Sequence, residues 1–287
     1  MHYISYSDMA ADIRRNLYKV PADIDLIVGV PRSGMIAALM LAEQLNKRCT
    51  DLDSFLEGRH WSEGGRGRML RHGVASKVLI IDDTVNSGVA MAGVLERIEP
   101  VREQYDITVA TVYAEGGQKA MEMVDVWLVD NHDPADNFHL YEWNILQHYK
   151  SHMRRMLFDM DGVLCLDPPD DRDTEAYESY LPAAKPLTIP TAEIGGICTY
   201  RLSKYMAVTE EWLKRNGVQY RQIIMYPSHD RAQRNSEMSP ERFKAKAYSI
   251  AHWAELFIES DDKQARRIHE LTGKPVFCYS NGRMYHG

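Results

Sequence analysis

The sequence predicts an α/β protein of two domains, each built on a mostly parallel sheet. Three observations carry this. Continuous apolar runs of strand length alternate with helical patterns, as strands buried on both faces require. The alternation occurs twice, interrupted by the polar stretch Gln147-His148-Tyr149-Lys150-Ser151-His152. Each series contains a strand that ends in acids followed by small residues, Asp82-Asp83 in the first and Asp159-Met160-Asp161-Gly162 in the second. The 287 residues suffice for two domains of ordinary size, expected at 1–147 and 148–287.

Residues 1–20 hold a short amphipathic pattern. Leu26 to Val30 reads as a buried strand, and the Ala-, Leu- and Met-rich stretch Met35 to Leu45 reads as a helix. Residues 55–73 break the rhythm, mixing Gly58, Gly64, Gly65, Gly67 and Gly73 with Arg59, Arg66, Arg68 and Arg71, the composition of a mobile loop. Strands are expected at 78–82, 108–114 and 126–130, with a helix near 88–98. The second series has strands at 155–159, 195–199, 222–226, 255–259 and 275–279, and helices over 203–216 and 239–252. Residues 167–174 are a turn-rich excursion.

Hydrophobic residues make up 45% and charged residues 26%, enough apolar content for a real core. The net charge of -7 and the lack of a long basic run argue against nucleic acid as a partner. Cys49, Cys165, Cys198 and Cys278 form no CxxC pair and read as buried free thiols of a reducing compartment. No signal-peptide pattern opens the chain, and no apolar run is long enough for a transmembrane segment. The expected location is cytoplasmic.

At the first acidic strand end, two adjacent carboxylates can accept hydrogen bonds from vicinal hydroxyls, as on ribose. Thr84, Val85, Asn86, Ser87 and Gly88 then offer hydroxyls, backbone N–H groups and a helix N-terminus to a phosphate. Alone, this is equally an acidic strand end with a Ser helix cap. A second turn, Gly29-Val30-Pro31-Arg32-Ser33-Gly34, also follows a strand and precedes a helix, and its Arg32, Ser33 and Gly34 suit a diphosphate. Together these resemble the type I phosphoribosyltransferase family over roughly residues 1–145. The resemblance implies a phosphoribosyltransferase-type parallel sheet that binds phosphoribosyl pyrophosphate (PRPP). Asp82 and Asp83 would take the ribose hydroxyls, Thr84 to Gly88 the 5-phosphate, Val30 to Gly34 the pyrophosphate, and residues 55–73 the closing loop. Two residues depart from the family pattern. Asn86 stands where purine-salvage members carry an Asp base, and Ala90 where many have a phosphate-binding Thr.

Asp159-Met160-Asp161-Gly162 is similar to the first motif of the haloacid-dehalogenase (HAD) superfamily, in which a strand-end carboxylate attacks phosphorus. The resemblance implies a Rossmann-like C-terminal sheet with a minimal cap, since the span from Asp161 to Thr199 is short. Asp159 would be the nucleophile and Asp161 the acid/base. Thr199 would hold the phosphate, and Lys244 or Lys246 would neutralise charge, with Lys244 preferred. Asp159, Asp161 and Glu259 would bind Mg²⁺, while Asp261 and Asp262 read as helix caps.

A phosphoribosyltransferase joined to a phosphatase transfers, in sum, unphosphorylated ribofuranose. That is self-defeating for nucleotide salvage and sensible for a ribosylated glycan or glycolipid acceptor. The arrangement resembles two-part ribofuranose-transfer systems of bacterial surface polysaccharides. One alternative is a nucleobase or orotate phosphoribosyltransferase with a nucleotidase. Another is a ligand-sensing regulatory protein. Tyr141-Glu142-Trp143-Asn144 reads as a buried interdomain aromatic patch in preference to an acceptor wall. The sequence carries no signal for oligomeric state, although dimers are common in the first family, so a homodimer is one possibility.

Overall fold

The computed structural model describes residues 2–59, 75–133, 139–147, 150–169 and 174–287. The chain forms two compact units, Met1–Trp143 and Asn144–Gly287, dividing a few residues before the boundary expected from sequence.

The strands of the first unit are β1 (His2–Ile4), β2 (Leu26–Gly29), β3 (Arg48–Asp51), β4 (Lys77–Val85), β5 (Asp106–Ala114), β6 (Val126–Asp130) and β7 (His139–Tyr141). Five of them form a parallel sheet in the order β3-β2-β4-β5-β6, and β1 pairs with β7. Alternate residues reach opposite faces. Ile27, Leu79 and Ile81 pack with Met9, Ile13 and Leu41 on one side. Leu26, Val28, Val78 and Ile80 pack with Phe55, Val94 and Ile98 on the other. Both faces are covered, which is why these strands read as unbroken apolar runs. β4 is longer than expected. Thr84 and Val85 pair with Tyr113 and Ala114 of β5, so they belong to the strand and not to the loop the sequence suggested.

In the second unit the strands are β8 (Met156–Phe158), β9 (Gly196–Leu202), β10 (Ile223–Tyr226), β11 (Leu256–Glu259), β12 (Val276–Cys278) and β13 (Arg283–Tyr285). Their order is β10-β9-β8-β11-β12-β13, parallel except for β13. Leu157 and Phe257 at the sheet centre pack with Tyr248, Ala265 and Ile268 of the flanking helices Pro240–Ile250 and Asp262–Thr272. Between β8 and β9 the described residues hold one helix, Glu175–Ala183.

In each sheet the chain first builds outward to one side and then to the other. The reversal falls between β2 and β4 in the first sheet and between β8 and β11 in the second. Crevices at the carboxyl ends of strands at such a reversal are where open α/β sheets bind ligands. Among the described residues no helix is long and apolar enough to cross a membrane. All four cysteines are free, and Cys165, Cys198 and Cys278 are buried.

Candidate functional site

At the first reversal, the turn after β2 leads into the helix Gly34–Leu45 and lies against the end of β4. A Cβ on Gly34 would sit 2.8 Å from Asp82 Oδ1 and 2.9 Å from the Ile81 carbonyl oxygen, so only glycine permits this approach. The Ser33 hydroxyl donates to Asp83 Oδ1 at 2.7 Å. The Trp143 indole N–H donates to Asp83 Oδ2 at 2.8 Å, and its ring stacks on Tyr141 at 4.8 Å. Asp83 is thereby fixed from both sides. Asp82 is 8% exposed. Burial first, and then the charge of Asp83, push its carboxyl up to about 8. It therefore keeps a proton at neutral pH and can donate as well as accept.

Arg32, Asn86 and Ser87 are exposed and Gly88 is buried. Gly88, at φ 79, begins the helix Val89–Ile98, and no side chain caps the first N–H groups. Ser87 is therefore not the cap. An uncapped helix start is suited to an anion. Residues 60–73 of the expected closing loop lie outside the described residues. Two residues of this site were not singled out from sequence as part of it. Glu115, just past β5, is buried and accepts hydrogen bonds from the Tyr141 hydroxyl and, at 3.3 Å, from each of the Asn86 and Asn131 amides. An acid directly after an apolar strand was the available signal. Trp143 carried no signal for its contact with Asp83.

The second site assembles at the ends of β8, β9 and β11. Lys244 is on the inner face of the helix Pro240–Ile250 and is 3% exposed. Its ammonium donates to Asp159 Oδ2 and Glu259 Oε2, each at 2.7 Å, and to Gln264 Oε1 at 3.0 Å. Lys246 is exposed on the opposite face. Two buried carboxylates share one ammonium, and burial raises Asp159 well above the usual carboxylate range against the pull of Lys244. Burial disfavours the Lys244 charge, but Asp159 and Glu259 hold it protonated. Thr199 is buried within β9. Gly162, at φ 76, packs where a Cβ would strike Ser260 Oγ. Asp261 caps the helix Asp262–Thr272, accepting from the Gln264 N–H at 2.8 Å, while Asp262 accepts from Asn281 and Tyr285.

Asp161 is held by a cation of its own. Arg201, 2% exposed, grips it with Nε on Oδ2 at 2.9 Å and Nη2 on Oδ1. The Tyr180 hydroxyl donates to Oδ1 at 3.2 Å. Burial opposes ionisation here, but Arg201 outweighs it and holds the carboxyl below the usual range. As arranged, Asp161 can accept a proton and has none to give. These side chains open on a cavity of about 590 Å³ that also reaches Tyr177, Tyr200, Arg234 and Tyr279.

The oxygen donors of Asp159, Asp161 and Glu259 match the chemistry of a hard cation such as Mg²⁺. Their oxygens are engaged by Lys244, Arg201 and backbone N–H groups, including Met160 N–H on Asp159 and Ser260 N–H on Glu259. Among the described residues no group of three His, Cys, Asp or Glu is poised to hold a metal ion. The expected metal set therefore does not fit Mg²⁺ as arranged, because two protein cations stand where its charge would be.

Residues 3–142 match the family model described as phosphoribosyl transferase domain. Several solved structures are similar. A xanthine-guanine-hypoxanthine phosphoribosyltransferase of Helicobacter pylori shares 18% identity, covering 50% of this chain and 93% of that one, at a TM-score of 0.37. For an orotate phosphoribosyltransferase of Aeropyrum pernix the figures are 19%, 49%, 73% and 0.30. For an adenine phosphoribosyltransferase of Saccharomyces cerevisiae they are 18%, 43%, 78% and 0.28.

Proposed function

We propose that this chain, which carries a phosphoribosyl transferase domain at residues 3–142, transfers 5-phosphoribosyl from PRPP to an acceptor and then removes the 5-phosphate. The observation that carries the second half is the pairing of Asp159 with buried Lys244 at 2.7 Å beneath a cavity of about 590 Å³. That is a strand-end carboxylate with a cation fixed beside it, the arrangement an attacking carboxylate needs as a phosphate approaches.

In the first step, Asp83 and protonated Asp82 orient the ribose hydroxyls, and the turn Val30–Gly34 receives the pyrophosphate. The uncapped start of Val89–Ile98, with Asn86, Ser87 and Gly88, receives the 5-phosphate. The bond from ribose C1 to pyrophosphate breaks as the acceptor hydroxyl oxygen attaches, its proton passing to the departing pyrophosphate, and positive charge develops on the ring. The Asp83 carboxylate close to the ribose favours that charge. Mg²⁺ that accompanies PRPP supplies charge to the leaving pyrophosphate, and no residue of this site is assigned to it.

In the second step an Asp159 oxygen attacks phosphorus and the bond from phosphorus to the ribose 5-oxygen breaks. Lys244 balances charge on Asp159, and Thr199 orients a phosphate oxygen. The departing oxygen needs a proton: once Arg201 shifts its hydrogen bonds to the substrate phosphate, Asp161 takes a proton from water and passes it to that oxygen. Water then hydrolyses the aspartyl phosphate. The net product is a ribofuranosyl acceptor, and a glycan or glycolipid precursor is the acceptor class for which losing the phosphate is productive. The test compares kcat/KM of the phosphatase for a ribosyl-5-phosphate glycoside and for nucleoside 5′-monophosphates. Preference for the glycoside supports the reading. Equal or better use of one nucleotide replaces it with nucleobase or orotate transfer followed by a nucleotidase.

A further inference from the structure

We propose that Arg234 forms a second anion subsite in the C-terminal cavity, seating an acidic group that the substrate carries in addition to its scissile phosphate. The proposal rests on the phosphatase reading of this cavity and names its substrate class, a phosphomonoester with a second phosphate or phosphodiester.

Three cations line the cavity, and they differ in what they face. Lys244 lies between Asp159 and Glu259. Arg201 lies on Asp161. Arg234 is also buried, at 7% exposure, yet no carboxylate among the described residues pairs with it. Its guanidinium is held in place by neutral groups. Nη1 donates to the Tyr200 carbonyl at 2.9 Å and Nε to Asn235 Oδ1 at 3.1 Å. The guanidinium plane lies over the Tyr200 ring at 4.3 Å. That leaves Nη2 with no acceptor among the described residues, although an arginine has five N–H donors in a fixed fork.

Arg234 lines the cavity with Nη2 free, and a guanidinium largely withdrawn from bulk water and without a counter-charge gains when an oxyanion arrives beside it. The fork is preorganised for a phosphate by its contacts with Tyr200, so little freedom is lost on binding. Tyr200 and Arg234 line the same cavity as Thr199 and Arg201, so the subsite borders the place proposed for the scissile phosphate. A substrate with a single phosphate would leave Arg234 unmatched. A ribosyl 5-phosphate on a carrier with its own phosphate would fill both positions.

The experiment uses the full chain and alkane-1,ω-diol bisphosphates of three to six carbons, each paired with the ω-hydroxyalkyl monophosphate of equal length. The bisphosphate should win at the best length by about 10-fold or more in kcat/KM, the scale of a charge-assisted hydrogen bond. Arg234→Gln should bring that ratio near one, and Arg234→Lys should restore part of it. A wild-type ratio near one at every length, or a ratio unchanged in Arg234→Gln, overturns the subsite and leaves the phosphatase reading standing. Should wild type hydrolyse neither series, the phosphatase reading fails. Calorimetric binding of the same compounds then decides the subsite, through a bisphosphate preference that Arg234→Gln abolishes or one that it leaves intact.

Discussion

Replacing Lys244 with Met tests the charge balance of the second site most severely. Lys244 is 3% exposed and is the ammonium shared by Asp159, at 5%, and Glu259, at 0%. Met keeps most of the side-chain volume and removes the charge, leaving two buried carboxylates facing one another. Breaking a buried pair by deleting one partner costs roughly 3–5 kcal/mol. For a domain near this size that lowers Tm by roughly 10–15 °C. The deficit depends on pH. Burial already raises Asp159 above its unfolded value, and losing Lys244 removes the cation that opposes this, so the loss is least at low pH and grows as pH rises. Hydrogen exchange of the β8 and β11 amides in urea reports this unit alone. Lys246→Met, on the exposed face, should change stability by less than about 0.5 kcal/mol. A Lys244→Met protein within about 1 kcal/mol of wild type at pH 7 would refute the idea that Lys244 holds the two acids together.

The first site yields three further expectations. Asp82→Asn with Asp83→Asn should abolish pyrophosphate release from PRPP while hydrolysis of small phosphate monoesters continues; surviving transfer would remove both residues from the site. The carboxyl of Asp82 is raised to about 8 by burial and by Asp83. Its unfolded form therefore ionises first, and stability should fall between pH about 4 and 8 by up to about 1.4 kcal/mol per pH unit. Asp82→Asn should flatten that slope and melt higher than wild type at pH 8, and an unchanged melting profile would contradict the assignment. Trp143→Phe keeps the stacking on Tyr141 but removes the N–H that meets Asp83. It should cost about 1–2 kcal/mol and raise KM for PRPP, read by thermal melts and by pyrophosphate release.

The two parallel sheets were legible because both faces of their strands are buried, so Leu26 to Gly29, Lys77 to Ile81 and Leu256 to Ile258 carry few polar interruptions. β3 and β13 were not, because they lie at sheet edges where Arg48, Thr50, Asp51 and Arg283 break the pattern. The length of β4 was also hidden. The pairing of Thr84 with Tyr113 is a long-range choice that local composition does not encode. The structure brings Asp159, Glu259 and Lys244 together as their strand and helix positions suggested, and helix periodicity separates Lys244 from Lys246. Arg201 was invisible as a partner of Asp161. Its signal, a cation two residues past Thr199, acquires meaning only once β8 and β9 lie side by side. Glu115 and Trp143 likewise reach the first site through contacts that sequence separation conceals.

The central claim is that one chain adds a phosphoribosyl group and then strips its phosphate. The most direct measurement incubates wild type and Asp159→Asn with PRPP, Mg²⁺ and a panel of glycosyl and glycolipid acceptors, following pyrophosphate, inorganic phosphate and product mass together. Wild type should release pyrophosphate and then phosphate in equal amounts and leave an unphosphorylated ribofuranosyl product. Asp159→Asn should release pyrophosphate alone and accumulate the 5-phosphorylated product. Phosphate release that survives in Asp159→Asn, or a wild-type product that keeps its 5-phosphate, would contradict the account.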